Sequence, residues 1–185
     1  MLDRLIESIV NCEVKPIEKR GVVYHYAILP TTGIPRMEAA LFREIGCAMV
    51  RKMDLEKVDM IVVPEAMGIP IGTTLSLMTD IPLNVIRKRQ YGLPGECVIR
   101  QTTGYSEEKD LYINGLGLGM RVVVVDDVLS TGGTMRAVLA GLASIQVEVV
   151  DVCVVIKRGD PDIGRDYNYL VEIEVTDRVQ VIGVG

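Results

Sequence analysis

The chain has 185 residues, close to half of them apolar, with a formal charge of −5, a pI near 5.0, no Trp and one Phe. A chain of this length can bury roughly 70% of its unfolded surface in one core; its acidic balance without a basic stripe argues against a nucleic-acid partner, and no apolar run approaches the ~20 residues of a membrane span. Cys12, Cys47, Cys97 and Cys153 lie far apart with no CxxC pair, which argues against a zinc site or a disulfide framework and for reduced thiols in the cytoplasm. The acidic, helically spaced start MLDRLIESIV is unlike a signal peptide.

Leu2, Leu5, Ile6, Ile9 and Val10 share one helical face and predict a short amphipathic helix. Residues 22–29 predict a strand, 30–35 a turn, and 36–53 a helix that turns Ala39, Ala40, Ile45, Ala48 and Met49 to the core. The apolar run 58–63, stopped by Pro64, predicts a buried strand, followed by a helix over 69–78 and a strand over 83–86. Residues 87–110 are polar, hold Gly92, Pro94, Gly95 and Gly104, and keep neither helical nor strand period. A stretch of this kind inside a compact domain is usually a lid or a disordered segment. A strand over 121–125, a helix over 131–143, a strand over 147–156 and two short strands over 169–175 and 179–182 complete the order. Strands that alternate with helices predict an α/β fold, a parallel sheet flanked by helices, here one domain over residues 1–185 with a small excursion for the N-terminus or the long loop.

The segment with most chemistry runs from Arg121 through four valines to Asp126-Asp127, then Ser130-Thr131-Gly132-Gly133-Thr134 ahead of a helix. Glycines let successive backbone N–H groups face one point, and a helix N-terminus adds further N–H groups and partial positive charge. Ser130, Thr131 and Thr134 each offer a hydroxyl, so the loop suits a phosphate monoester. Ordinary helix capping accounts for Ser, Thr and Gly before a helix. It does not account for two adjacent carboxylates on an apolar strand, which suit sugar hydroxyls. Glu65-Ala66-Met67-Gly68 sits between a strand and a helix and offers backbone N–H groups to a second anion, and Arg87 and Lys88 follow the next strand. Gly115, Gly117 and Gly119 precede a strand, the wrong place for a dinucleotide fingerprint, and no GK[ST] follows a glycine run.

VVVVDDVLSTGGT resembles the signature of type I phosphoribosyltransferases that binds phosphoribosyl pyrophosphate (PRPP). The resemblance implies a parallel sheet flanked by helices, a small hood over a purine base, and a flexible lid loop. It assigns Asp126 and Asp127 to the ribose hydroxyls and, through water or substrate, to Mg²⁺. It assigns Ser130, Thr131, Gly132, Gly133 and Thr134 to the 5′-phosphate. Glu65-Ala66-Met67-Gly68 is similar to the pyrophosphate loop of adenine phosphoribosyltransferases, which carry Arg where this chain has Met67. VIRKRQYGLPGECV resembles the segment before the family's lid and gives Arg87 and Lys88 a pyrophosphate role. The adenine enzymes carry a functional Glu in a Leu-Glu-Tyr-Gly run there. This chain has Thr102-Thr103-Gly104-Tyr105, with Glu107 and Glu108 unassigned.

Lys157 stands at the carboxyl end of a strand, the ligand side of an open α/β sheet, where it could donate to a carbonyl oxygen. Several 6-oxopurine enzymes of the family have a Lys in the corresponding place, contacting O6 of the base. Those enzymes usually carry an Asp where this chain has Ser130, which leaves the proton donor or acceptor at N7 unassigned. An adenine-like lid combined with Lys157 resembles the archaeal hypoxanthine/guanine phosphoribosyltransferases over about residues 60–160. The implied reaction is transfer of the 5-phosphoribosyl group from PRPP to hypoxanthine, and to guanine, by a cytoplasmic, Mg²⁺-dependent homodimer. An adenine or xanthine enzyme of the same fold stays open, as does a regulator that senses PRPP. The acidic charge argues against the regulator, and His25, Tyr24 and Tyr26 receive no assignment.

Overall fold

The computed structural model describes residues 2–19, 21–101 and 109–185. Its centre is a six-stranded sheet in the order β10-β9-β8-β7-β3-β4. These strands are β3 (Met60–Pro64), β4 (Leu83–Ile86), β7 (Arg121–Leu129), β8 (Glu148–Arg158), β9 (Asn168–Val175) and β10 (Val179–Val184). All neighbours are parallel except β10, which runs antiparallel along β9 at the edge. The middle strands β3, β7 and β8 are covered on both faces, which is why they read as continuous Val and Ile and not as alternation.

Helices α1 (Asp3–Val10), α2 (Ala39–Lys52) and α3 (Gly68–Thr79) cover one face, where Leu5, Ile45, Met49, Ile71 and Leu75 meet Val63, Val123 and Val125. Helix α4 (Gly133–Ser144) covers the other, where Met135, Val138 and Leu142 meet Val122, Val124 and Val154. Beside α4 lies an antiparallel pair, β5 (Cys97–Gln101) and β6 (Lys109–Ile113). A second antiparallel pair, β1 (Val14–Lys19) and β2 (Val22–Ala27), stands apart from the main sheet.

Five elements depart from the sequence expectation: β1, β5, β6, β7 and α4. β1 carries Pro16 and charged residues and so gives no strand signal; its pairing with β2 supplies the order. The stretch 87–110 is not wholly irregular. Ile99, Leu111 and Ile113 bury against α4 and draw β5 and β6 together, on a period too short to stand out in a polar segment. The expected lid residues 102–108, with Thr102 to Tyr105, Glu107 and Glu108, lie outside the described residues. β7 runs on to Leu129 because β8 keeps pairing with it, Asp126 opposite Val154 and Leu129 opposite Lys157. Asp126 and Asp127 therefore lie within the strand, and α4 starts at Gly133, after Thr131 and Gly132.

Close approach of α3 to the sheet rests on Gly72, where a Cβ would stand 2.6 Å from Val63 Cγ1 and 2.7 Å from Leu83 Cδ1. In Gly72→Ala, helix propensity gains up to about 1 kcal/mol, whereas overpacking costs about 1–3 kcal/mol. The buried, β-branched Val63 has little room to yield, so the clash wins. We expect a net destabilisation of about 1–2 kcal/mol in urea unfolding; a variant as stable as the parent would show that α3 is not held to this spacing.

Candidate active site

β3 and β7 are adjacent and parallel, and each feeds a helix at its carboxyl end, α3 and α4. Neither helix N-terminus is capped by a side chain among the described residues. Two sets of backbone N–H groups, each with partial positive charge, therefore open at the same edge of the sheet. Three adjoining cavities meet there.

The first, of about 80 Å³, is lined by Ser130, Thr131, Gly132, Gly133 and Thr134 together with Asp126. All five residues of the expected phosphate loop are thus brought to one concavity. Gly132 adopts a left-handed conformation at φ 76°, and a Cβ on it would stand 2.6 Å from Arg136 Nη1 and 3.3 Å from the Asp162 carbonyl. Both the turn and the packing behind it demand glycine.

The second cavity, of about 290 Å³, is lined by Glu65, Ala66, Met67, Lys88, Asp126, Asp127 and Thr134, among others. The Glu65–Ala66 peptide is cis. Gly68 opens α3 so close to β7 that a Cβ on it would stand 3.2 Å from the Val125 carbonyl and 3.3 Å from Asp126 Oδ1. Glu65 accepts a hydrogen bond from the Lys88 backbone N–H at 3.3 Å and pairs with Arg87 at 3.8 Å. Of the two expected cations, Lys88 lines the cavity while Arg87 turns to Glu65.

The third cavity, of about 280 Å³, lies between the β1–β2 pair and the sheet. Tyr26, Ala27, Leu29 and Thr32 form its outer wall, Asp127, Val128, Ser130, Ile173 and Val175 its floor, and Met67 and Arg158 its ends. Sequence reasoning missed this wall. Its one visible trace was the aromatic placement of Tyr24 and Tyr26, two residues apart in a strand and so on one face.

Asp126 and Asp127 sit where the three cavities meet. Burial, then the charge of Asp127, pushes the Asp126 carboxyl well above the usual carboxylate range, against the pull of Lys88. Burial also raises Asp127, opposed chiefly by the Thr31 hydroxyl, which donates to its Oδ2 at 3.0 Å. The Asp127 backbone N–H donates to Asp126 Oδ1 at 2.8 Å. A ligand that offers hydroxyl donors or a divalent cation would relieve both carboxylates. Among the described residues no group of three or more His, Cys, Asp or Glu side chains could hold a metal ion. The residues fit a cation that brings most of its ligands from substrate and water.

Lys157 is not brought to this cleft, contrary to the expectation from its strand position. Its ammonium pairs with Asp160 at 3.3 Å and with Glu172 at 3.5 Å, its registered neighbour on β9, and lies 5.2 Å from the centroid of the Tyr169 ring. Only 14% of its side chain is exposed. Adjacent strand residues point to opposite faces, so with Lys157 on the side of Tyr169, it is Arg158 that lines the third cavity.

Residues 37–185 match the family described as the phosphoribosyl transferase domain. A hypoxanthine/guanine phosphoribosyltransferase of Methanosphaerula palustris is 58% identical over 98% of both chains, and one of Methanospirillum hungatei is 54% identical over 96% of both. Among solved structures, the fold is similar to an adenine phosphoribosyltransferase from Thermoanaerobacter pseudethanolicus, with a TM-score of 0.73 at 22% identity over 93% of this chain and 99% of that one. Among the described residues no helix is long and apolar enough to cross a membrane. The matched span takes in the six-stranded sheet and both helix N-termini at the cleft, and the likeness to the two curated relatives runs nearly from end to end: this chain belongs to the phosphoribosyl transferase domain family.

Proposed function

We propose that the chain transfers the 5-phosphoribosyl group of PRPP to hypoxanthine, and to guanine, with release of pyrophosphate. The observation that carries this reading is the meeting of three unlike cavities at one carboxylate pair. Two of them are faced by helix N-termini, and the third is walled largely by apolar and aromatic groups. A 5′-phosphate at Ser130 to Thr134, ribose hydroxyls at Asp126 and Asp127, and pyrophosphate at Glu65 to Gly68 with Lys88 use all of these features. The names of the two relatives above support hypoxanthine and guanine. The working unit in this reading is residues 1–185, as a cytoplasmic homodimer.

In the reaction the bond from C1 of the ribose to the pyrophosphate oxygen breaks, its electron pair leaves with pyrophosphate, and a ring nitrogen of the base forms the new bond to C1 while the N–H proton of its five-membered ring is released to solvent. Positive charge develops on the ribose, and fixed negative groups beside it stabilise that charge without reorganising. Asp126 and Asp127 hold the hydroxyls of the ring that becomes cationic. Lys88 and the N–H groups opening α3 face the departing pyrophosphate. Arg87 acts through Glu65, holding the strand end that presents Lys88. Asp126 and Asp127 would hold magnesium through PRPP and water, and the ion would supply charge neutralisation for the pyrophosphate. The β1–β2 pair closes over the base and keeps water from the reactive ribose.

Two variants test the assignments. Asp126→Asn is expected to weaken PRPP binding in the presence of Mg²⁺, read by calorimetry; unchanged affinity would remove the carboxylate from the site. The same variant should raise the melting temperature of the ligand-free protein. A carboxyl whose folded pKa is raised contributes stability below its unfolded pKa, near 4, and loses it as pH rises through the folded value. Asn lacks that penalty, so the gain should be present at pH 8 and fade on acidification.

Arg158 is assigned to the base. Its guanidinium carries only donors, which match the O6 acceptor of hypoxanthine and oppose the amino group of adenine. A site built to bond one group can reject an analogue by as much as about 10⁴-fold. Turnover with a panel of hypoxanthine, guanine, xanthine and adenine should favour the first two, and a preference for adenine would overturn the reading. Arg158→Ala should lower kcat/KM for hypoxanthine far more than Lys157→Ala, with PRPP affinity little changed in either. The reverse order would return the base contact to Lys157.

A further inference from the structure

Among the described residues, Thr31 and Asp127 are the least exposed polar or charged residues, at 0% and 9% exposure, and they are hydrogen-bonded to each other. The bond spans 96 residues of sequence. Thr31 lies in a 3-10 turn, Pro30–Thr32, that is separated by two residues from β2, which carries Tyr26 and Ala27, and begins just after Leu29. The turn is itself fixed. The Thr32 hydroxyl donates to the Leu29 carbonyl at 2.7 Å, the Thr32 backbone N–H donates to the same carbonyl at 3.0 Å, and the Ile28 N–H donates to the Glu13 carbonyl at 2.8 Å. Gly33 ends the turn in a left-handed conformation. The outer wall of the base cavity and the carboxylate assigned to ribose are thus joined by one hydroxyl.

We propose that Thr31 is a positioning residue for PRPP: its hydroxyl fixes the rotation of the Asp127 carboxylate, leaving Oδ1 to the ribose, and ties the hood over the base to the sugar site. This rests on the PRPP reading above. A carboxylate that turns freely about its side-chain bond presents its oxygens in many directions, and a charge-assisted donor to one oxygen removes that freedom. The same bond favours the charged form of Asp127. Facing Asp127 around the cleft are Asp126 on the same strand, Glu65 and Lys88 across the second cavity, and Tyr26 and Arg158 across the third. Thr31 adds a neutral donor to this set, one that favours the carboxylate without competing for phosphate.

The test compares Thr31→Val, nearly isosteric but without a donor, with Thr31→Ser, which keeps the hydroxyl. In Thr31→Val, kcat/KM for PRPP should fall about 10- to 100-fold, the loss expected of one hydrogen bond to a charged group. The loss should lie mainly in KM, with kcat little changed. Thr31→Ser should restore KM to within about threefold. If Thr31→Val does not fold, Thr31→Ala, which also lacks a donor, takes its place with the same readouts. A donor-free variant with parental KM would overturn the proposal, as would a loss that Thr31→Ser fails to repair. Failure of the parent protein to bind PRPP at all would instead overturn the reading on which the proposal rests.

Discussion

Two carboxylates, adjacent in sequence, are buried in the middle strand of an apolar sheet, and the site is arranged around that cost. Desolvation pushes both toward the neutral form, and the charge of Asp127 adds to the penalty on Asp126. What holds them is partial and comes from different parts of the chain. Lys88 stands at the end of β4, Thr31 reaches in from the turn after β2, and the backbone of Asp127 itself donates to Asp126. Gly68 lets α3 begin within contact distance of Asp126, so the positive end of that helix opens beside the negative pair. None of these contacts neutralises the pair. The protein keeps a charge deficit that a ligand with hydroxyl donors and a bound cation would remove, and binding energy comes from relieving it.

The parts of this arrangement visible in the sequence are those made locally. A run of valines ending in Asp-Asp and followed by Ser-Thr-Gly-Gly-Thr encodes strand, loop and helix N-terminus within fourteen residues from Arg121 to Thr134. The 65–68 loop and Lys88 were legible for the same reason. Thr31 was not, because its importance lies in a partner 96 positions away and no local period marks it. The β1–β2 pair was half visible. β2 has strand composition, whereas β1 has Pro16 and alternating charge and becomes a strand only by pairing. β5 and β6 were hidden by the polar residues around them, although Ile99, Leu111 and Ile113 provide a short buried face. Lys157 was placed correctly at the end of its strand, but sequence alone does not say which side of the sheet a residue at a twisted strand end will face.

The cleft joins two kinds of recognition. The first cavity is lined largely by the hydroxyl and glycine residues of the 130–134 loop, and such sites depend on chain path more than on side-chain identity. The third cavity is made of side chains from five distant segments: the β2 region, Met67, the end of β7, Arg158 at the end of β8, and β9. Tyr26, Arg158, Ile173 and Val175 line this cavity and neither of the other two, whereas Asp127, Ser130 and Met67 are shared with them.

The same division bears on the pair Lys157 and Arg158. Two cations in succession at a strand end are directed to opposite faces, and only one can reach the cleft. Here Glu172, Asp160 and the Tyr169 ring hold Lys157 on the far side. Desolvation works against that ammonium, yet Asp160 and Glu172 outweigh it and raise its pKa, so it stays charged and anchored. The anchor fixes the end of β8 against β9, since Lys157 and Glu172 are registered partners in the ladder. A fixed strand end in turn sets the direction of Arg158. Arg158, which lines the third cavity, thus owes its direction to the neighbour that does not.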